Sequence, residues 1–201
     1  MHGSASFFLY FYDVMKQTQH FTFILAGIIM SSLVWNACVY SGRNRENVSR
    51  QDSILSADLC VKGLGFALNG KLEESLDAYS EAIRVNPWNP TAYGGRGMVR
   101  LGLNDLEGAY QDASSAIELD SANADWYGNR AYVEMLRGNL AEAMDDLNKS
   151  LQLNPSYGWA YTKRGNLKFM MQDTSGACED WKIAIGYNET EAMDSVHRHC
   201  F

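Results

Sequence analysis

The sequence predicts an all-α fold, a short array of repeated helix pairs behind an apolar N-terminal segment. Three observations carry that prediction. Residues 124–157, ADWYGNRAYVEMLRGNLAEAMDDLNKSLQLNPSY, read as two amphipathic helices joined at Arg137-Gly138-Asn139 and closed by Asn154-Pro155. Tyr127, Ala131, Met135 and Leu136 make one stripe of helical period, and Leu140, Ala143, Met144, Leu147, Leu151 and Leu153 make the second. The pattern then returns every 34 residues. Finally, 46% hydrophobic residues and only three prolines suit an ordered helical core.

Taken from the start, the chain divides by composition. Phe21 to Tyr40 carries no charge over a length that can cross a bilayer. With Met15 as the start, residues 15–37 have the anatomy of a secretory signal: Lys16, an apolar run, and the small Ala37 before Cys38. This is similar to a bacterial lipoprotein signal, which implies lipid on Cys38, although Trp35 stands where that signal usually has leucine. Residues 1–14 are then an upstream artefact. The competing expectation keeps the segment as an uncleaved single-pass anchor of an inner membrane, and a third is plain secretion. The expected location is a bacterial cell envelope, facing the periplasm or the surface. Residues 38–55 are expected to form a polar tether, with Asp52 offering a helix N-cap.

The repeat units are 56–89, 90–123, 124–157 and 158–191. Small residues recur where paired helices must approach closely: Gly63, Gly97, Ala131 and Gly165 in first helices, Ser75, Ala109, Ala143 and Ala177 in second helices, then Ala82, Ala116, Ser150 and Ala184. Asn104 and Gln172 stand where the other turns have glycine. Residues 192–201 close the chain with an apolar stripe, Ala192, Met193, Val196 and Cys200, expected to form a capping helix.

This period with this set of small positions resembles the tetratricopeptide repeat family over residues 56–191. The resemblance implies a right-handed α-solenoid of four helix-turn-helix units, with the first helices lining a concave groove. It places Cys60, Val61, Leu64, Leu68, Gly94, Gly95, Met98, Leu101, Gly128, Asn129, Tyr132, Met135, Trp159, Thr162, Lys163, Asn166 and Phe169 on that surface. From these, the expected partner-binding residues are Leu64, Met98, Asn129, Tyr132, Met135, Trp159, Lys163, Asn166 and Phe169. Some relatives clamp a peptide's terminal carboxylate with a fixed polar set, but Cys60, Leu64, Gly94 and Met98 occupy places that set needs. A protein or peptide segment with apolar anchors fits better.

Charge and motifs narrow the function further. A net charge of -7 opposes nucleic-acid binding, which draws on clustered lysine and arginine. Neither a phosphate loop, G-x-S-x-G, H-E-x-x-H nor C-x-x-C occurs, so no enzyme, cofactor or small-molecule substrate is expected. His197, His199 and Cys200 lack the spacing of a closed metal site. Cys178 and Cys200 fit either a disulfide that staples the cap or two buried thiols. Arg96/Asp112, Arg130/Asp146 and Arg164/Asp180 each stand 16 residues apart, which suggests a repeated ion pair at the hairpin seam. The function expected is a non-catalytic interaction scaffold tethered to an envelope membrane; the alternative is a structural subunit of an envelope assembly that uses its convex face or self-association.

Overall fold

The structure, a computed structural model, describes residues 45–200. The signal or anchor segment at 15–37, the upstream residues 1–14 and Cys38 lie outside the described residues. Before Ser49 the described part is a single 3-10 turn, Arg45–Asn47. From Ser49 onward the elements are α1 (Arg50–Leu68), α2 (Leu72–Val85), α3 (Pro90–Gly102), α4 (Leu106–Leu119), α5 (Ala124–Arg137), α6 (Leu140–Leu153), α7 (Gly158–Met170), α8 (Thr174–Gly186) and α9 (Thr190–His199).

These helices form four hairpins, α1/α2 to α7/α8, stacked in chain order with α9 against α8. Each first helix also meets the next first helix, α1 with α3, α3 with α5 and α5 with α7, whereas the second helices do not meet to the same extent. The first helices therefore crowd together on the inner side of an α-solenoid. Close approach is possible because Ala82, Ala116, Ser150, Ala143, Ala177 and Ala184 are fully buried with almost no side chain to accommodate. Where serine replaces alanine, its hydroxyl donates to a backbone carbonyl of the facing helix. Ser75 Oγ reaches Gly63 O at 2.7 Å, Ser150 Oγ reaches Ala124 O at 2.9 Å, and Ser56 Oγ reaches Ala82 O at 2.9 Å. A buried hydroxyl without such a partner would be costly.

Local chemistry explains the ends. Asn89, Asp105, Asn123 and Asp173 cap helices through their side chains. The turn residues Gly70, Asn104, Gly138 and Gln172 all have positive φ, at 72°, 62°, 84° and 67°, and stand one 34-residue period apart. At these turns the repeat imposes a left-handed conformation even where the residue is not glycine.

Two sequence expectations are corrected here. α1 starts at Arg50, inside the stretch assigned to the tether, because Ser49 and Asp52 form a reciprocal capping box. Asp52 is thus the third residue of the helix and not its cap. In α9, Ala192 and Val196 are buried whereas Met193 is 41% exposed, so Met193 leaves the apolar stripe. The cap packs with Ala177, Trp181, Ala184, Tyr161 and Ile185. Cys178 on α8 and Cys200 are bonded, their Cα atoms 5.7 Å apart.

Candidate functional site

The inner face has two halves of different character. Towards the N-terminus it is open and apolar. Val61, Leu64 and Leu68 on α1 are 72%, 52% and 79% exposed, and Met98 on α3 is 43% exposed. They follow one face of α1 at helical spacing and continue onto α3. No charged side chain interrupts Val61, Leu64 and Leu68, although Lys62 beside them holds its ammonium over the Phe66 ring at 5.6 Å.

The glycines of this face are not open groove. A Cβ at Gly94 would run into the ring of Trp126, one at Gly95 into Tyr79, and one at Gly128 would come within 3.0 Å of Trp159. Each glycine receives an aromatic ring from a neighbouring element, so their smallness serves packing between units. Cys60 is buried too, and burial pushes its thiol's pKa up despite a hydrogen bond from Asn89 Nδ2 at 3.6 Å.

Towards the C-terminus the face is aromatic and polar. Tyr132 on α5 meets Trp159 on α7 edge to face at 6.1 Å, and Trp159 stacks on Tyr157 at 5.7 Å. Burial, followed by the nearby Asp125, pushes the Tyr157 hydroxyl well above its ordinary range. Lys163 holds its ammonium 5.3 Å from the Tyr132 centroid and 5.5 Å from that of Trp159. It also donates to both carboxylate oxygens of Glu191 on α9, at 3.0 and 2.9 Å. Asn166 Nδ2 donates to the same carboxylate at 3.1 Å, while its Oδ1 accepts from Trp181 Nε1 at 2.8 Å.

The expected binding residues therefore separate. Leu64 and Met98 are open; Asn129, Tyr132 and Trp159 are half-buried on the face. Lys163 and Asn166 are on the face but engaged by Glu191. Phe169, 38% exposed, packs against Trp181 at 5.7 Å and His199 at 4.4 Å. Met135 is a correction: it lies in the core with Ala131, Leu147, Leu151 and Leu167, turned by its helix position into the hairpin and away from the groove. Glu191 was missed in sequence, because its partners are 25 and 28 residues away and nothing in the α9 pattern marks them. Among the described residues no group of three or more His, Cys, Asp or Glu could hold a metal.

The recurring arginines do not face a ligand. Arg96 and Asp112, Arg130 and Asp146, and Arg164 and Asp180 form two-pronged pairs at 2.7 to 2.9 Å, and Asp112 and Asp180 are almost fully buried. Arg100 adds a contact to Asp112 at 3.0 Å and Lys168 one to Asp180 at 2.8 Å. Each paired arginine also lies over a tyrosine three residues earlier, at 5.8, 6.0 and 5.4 Å for Tyr93, Tyr127 and Tyr161.

Hairpins of this kind, stacked through small residues with their first helices inward, define an α-solenoid repeat protein. Residues 62–123 match one tetratricopeptide repeat family model and residues 124–157 match another. Residues 62–157 are therefore tetratricopeptide repeats. No curated protein sequence matches it. Among solved structures, PilF of Pseudomonas aeruginosa aligns with a TM-score of 0.67 at 18% identity, over 74% of this chain and 71% of that one. The first repeat domain of Spaghetti (RPAP3) bound to HSP90 peptide SRMEEVD aligns with a TM-score of 0.57 at 23% identity, over 60% and 95%. The second repeat domain of human RPAP3, in complex with HSP70 peptide SGPTIEEVD, aligns with a TM-score of 0.54 at 28% identity, over 59% and 96%.

Proposed function

We propose that this protein is a non-catalytic interaction scaffold that takes an extended or helical segment of a partner protein into its inner face. The observation that carries this reading is the exposed apolar run Val61, Leu64 and Leu68 on α1 with Met98 on α3. Apolar side chains left open on a repeat protein's inner surface are what a partner's apolar anchors would cover. The peptide complexes of two structurally similar domains support the same reading.

The scaffold is held at a bacterial envelope membrane by lipid on Cys38, which becomes the first residue once the signal at 15–37 is cleaved. The support for this part is the signal-like sequence. Labelled palmitate entering the wild type but not Cys38→Ala is the expected result; label retained by the variant overturns it.

The groove is tested by affinity capture with the full chain, wild type beside a Leu64→Glu, Met98→Glu double variant. Both positions are exposed, so the variant should keep the wild-type melting curve. Loss of the captured partner from the folded variant is expected, and undiminished capture would refute groove binding.

A further inference from the structure

We propose that the open N-terminal end of the array is a two-fold interface, at which α1 packs antiparallel against α1 of a second copy of this chain. The repeat itself shows which side of α1 is unfilled. In later units, the side of the first helix that lies on the unit before it carries Ala92 and Val99 on α3, Val133 on α5, and Ala160 and Leu167 on α7, all buried. On α3 the same side carries Gly95 and Gly102, whose Cβ positions meet Tyr79 and Leu72 of the preceding hairpin. One period earlier their counterparts on α1 are Asp58, Val61, Gly65 and Leu68, before which the described residues hold only a 3-10 turn. Val61 and Leu68 are the two most exposed large apolar side chains among the described residues, and Ile54, seven residues before Val61, is 54% exposed. Residues seven apart stand in one line along a helix, and an array end that shows such a line calls for a cover.

Three observations select a second copy as that cover. The other end of the array is closed, since α9 packs over Trp181 and Ala184 and is bonded to α8 through Cys178 and Cys200. A head-to-tail stack of copies therefore has no surface to use, and the contact is like on like. The line is also its own complement. Val61 stands midway between Ile54 and Leu68, so a dyad at Val61 sets Val61 against its counterpart and Ile54 against Leu68 of the copy. Ala57 then lies level with Gly65 of the copy, where an added Cβ would meet nothing within 4 Å, so the two helices can come close. Finally, the charges match. Asp58 and Lys62 are exposed along one flank of the line, and neither forms an ion pair with a described residue; the Lys62 ammonium has only the Phe66 ring. An antiparallel dyad brings like flanks together, so Asp58 of each copy faces Lys62 of the other. Against an apolar repeat or lipid tails, the same Asp58 would be buried without a partner.

The 19 residues of α1 give a contact line about 28 Å long, at the small end of specific interfaces. Anchoring both copies in one membrane raises their effective concentration. The inference goes beyond the groove reading: the copy covers Ile54, Val61 and Leu68, whereas Leu64 and Met98, one period apart on the inner side, stay for the partner segment.

Sedimentation velocity of the full chain in density-matched detergent micelles tests the interface. Wild type should pass from monomer to dimer between about 1 and 100 µM. Val61→Glu, which sets two carboxylates together at the dyad, should weaken self-association at least about tenfold. Asp58→Lys alone and Lys62→Asp alone should each weaken it about three- to tenfold, and an equimolar mixture of these two variants should return to wild-type strength. All three positions are exposed, so each variant should keep the wild-type melting curve. A wild type still monomeric at about 100 µM, unchanged self-association in Val61→Glu, or a mixture no stronger than its components each overturn the proposal. A thiol label on Val61→Cys that is shielded in a monomer gives this face to the chain's own residues before Ser49, and one shielded only by phosphatidylglycerol vesicles gives it to a lipid surface; both overturn it. Met98→Glu should lose the captured partner and stay dimeric. A wild type that captures its partner as a monomer leaves the groove standing and removes the dimer.

Discussion

Arg130 on α5 grips Asp146 on α6 with two parallel hydrogen bonds, Nε to Oδ2 at 2.7 Å and a terminal nitrogen to Oδ1 at 2.8 Å. The hydrogen bond to Asp146 raises the arginine's pKa further, so the guanidinium stays charged throughout any usable pH range. The same fork occurs one unit earlier and one unit later, and in each it locks the first helix of a hairpin against its second.

Removing the acid should leave a partly buried guanidinium without its partner. Asp146→Ala should therefore cost about 3 kcal/mol, a little below a fully buried pair because Arg130 keeps some solvent. Arg130→Met with Asp146→Leu should recover much of that loss. Urea melts of the two variants check both, and equal midpoints for single and double variants would contradict a pairwise role.

Gln172 occupies a left-handed turn, φ 67°, that Gly70 and Gly138 occupy without steric cost. Gln172→Gly should stabilise the protein by about 1 kcal/mol, or roughly 2–4 °C in melting temperature. Asn104→Gly should gain less, since asparagine tolerates this region better. Differential scanning calorimetry would show the order.

The Cys178–Cys200 bond closes a loop with a sequence separation of 22 and ties the cap to α8. On loop entropy it should contribute about 3 kcal/mol, and Cys178→Ser with Cys200→Ser should lower the melting temperature accordingly. Hydrogen exchange should rise in α9 first, because that helix has packed neighbours on only one side. Uniform acceleration along all nine described helices would argue against a local staple.

Cys60 should resist alkylation in the folded chain at pH 8 and react once urea unfolds it, because burial holds the thiol protonated. The sign for stability follows from a folded pKa above the unfolded one. At pH values between the two, the unfolded chain has released a proton that the folded chain retains. Stability should therefore fall as pH rises past about 9, the thiol's ordinary range. Tyr79, also raised by burial, adds to the fall from about pH 10 upward. Cys60→Ala should remove the lower part of that slope in pH-dependent urea melts.

The sequence by itself determined the hairpin array, because the 34-residue period, the stripe of each helix and the small positions are local or strictly repeated signals. It also placed the Arg/Asp pairs, since an identical offset in three units survives without coordinates. Tertiary structure alone decided which inner-face residues stay open. The family resemblance assigns Met135 and Leu64 alike to the inner face, yet Met135 turns into the core of its hairpin and Leu64 stays exposed. Likewise Gly94 and Gly128 are filled by rings from later units. Glu191 reaches Lys163 only because α9 folds back over α7 and α8, a contact across 28 residues that no local pattern encodes. A repeat specifies what each unit does with its neighbour; what the last unit does with a non-repeating helix depends on geometry assembled only when the whole array is packed.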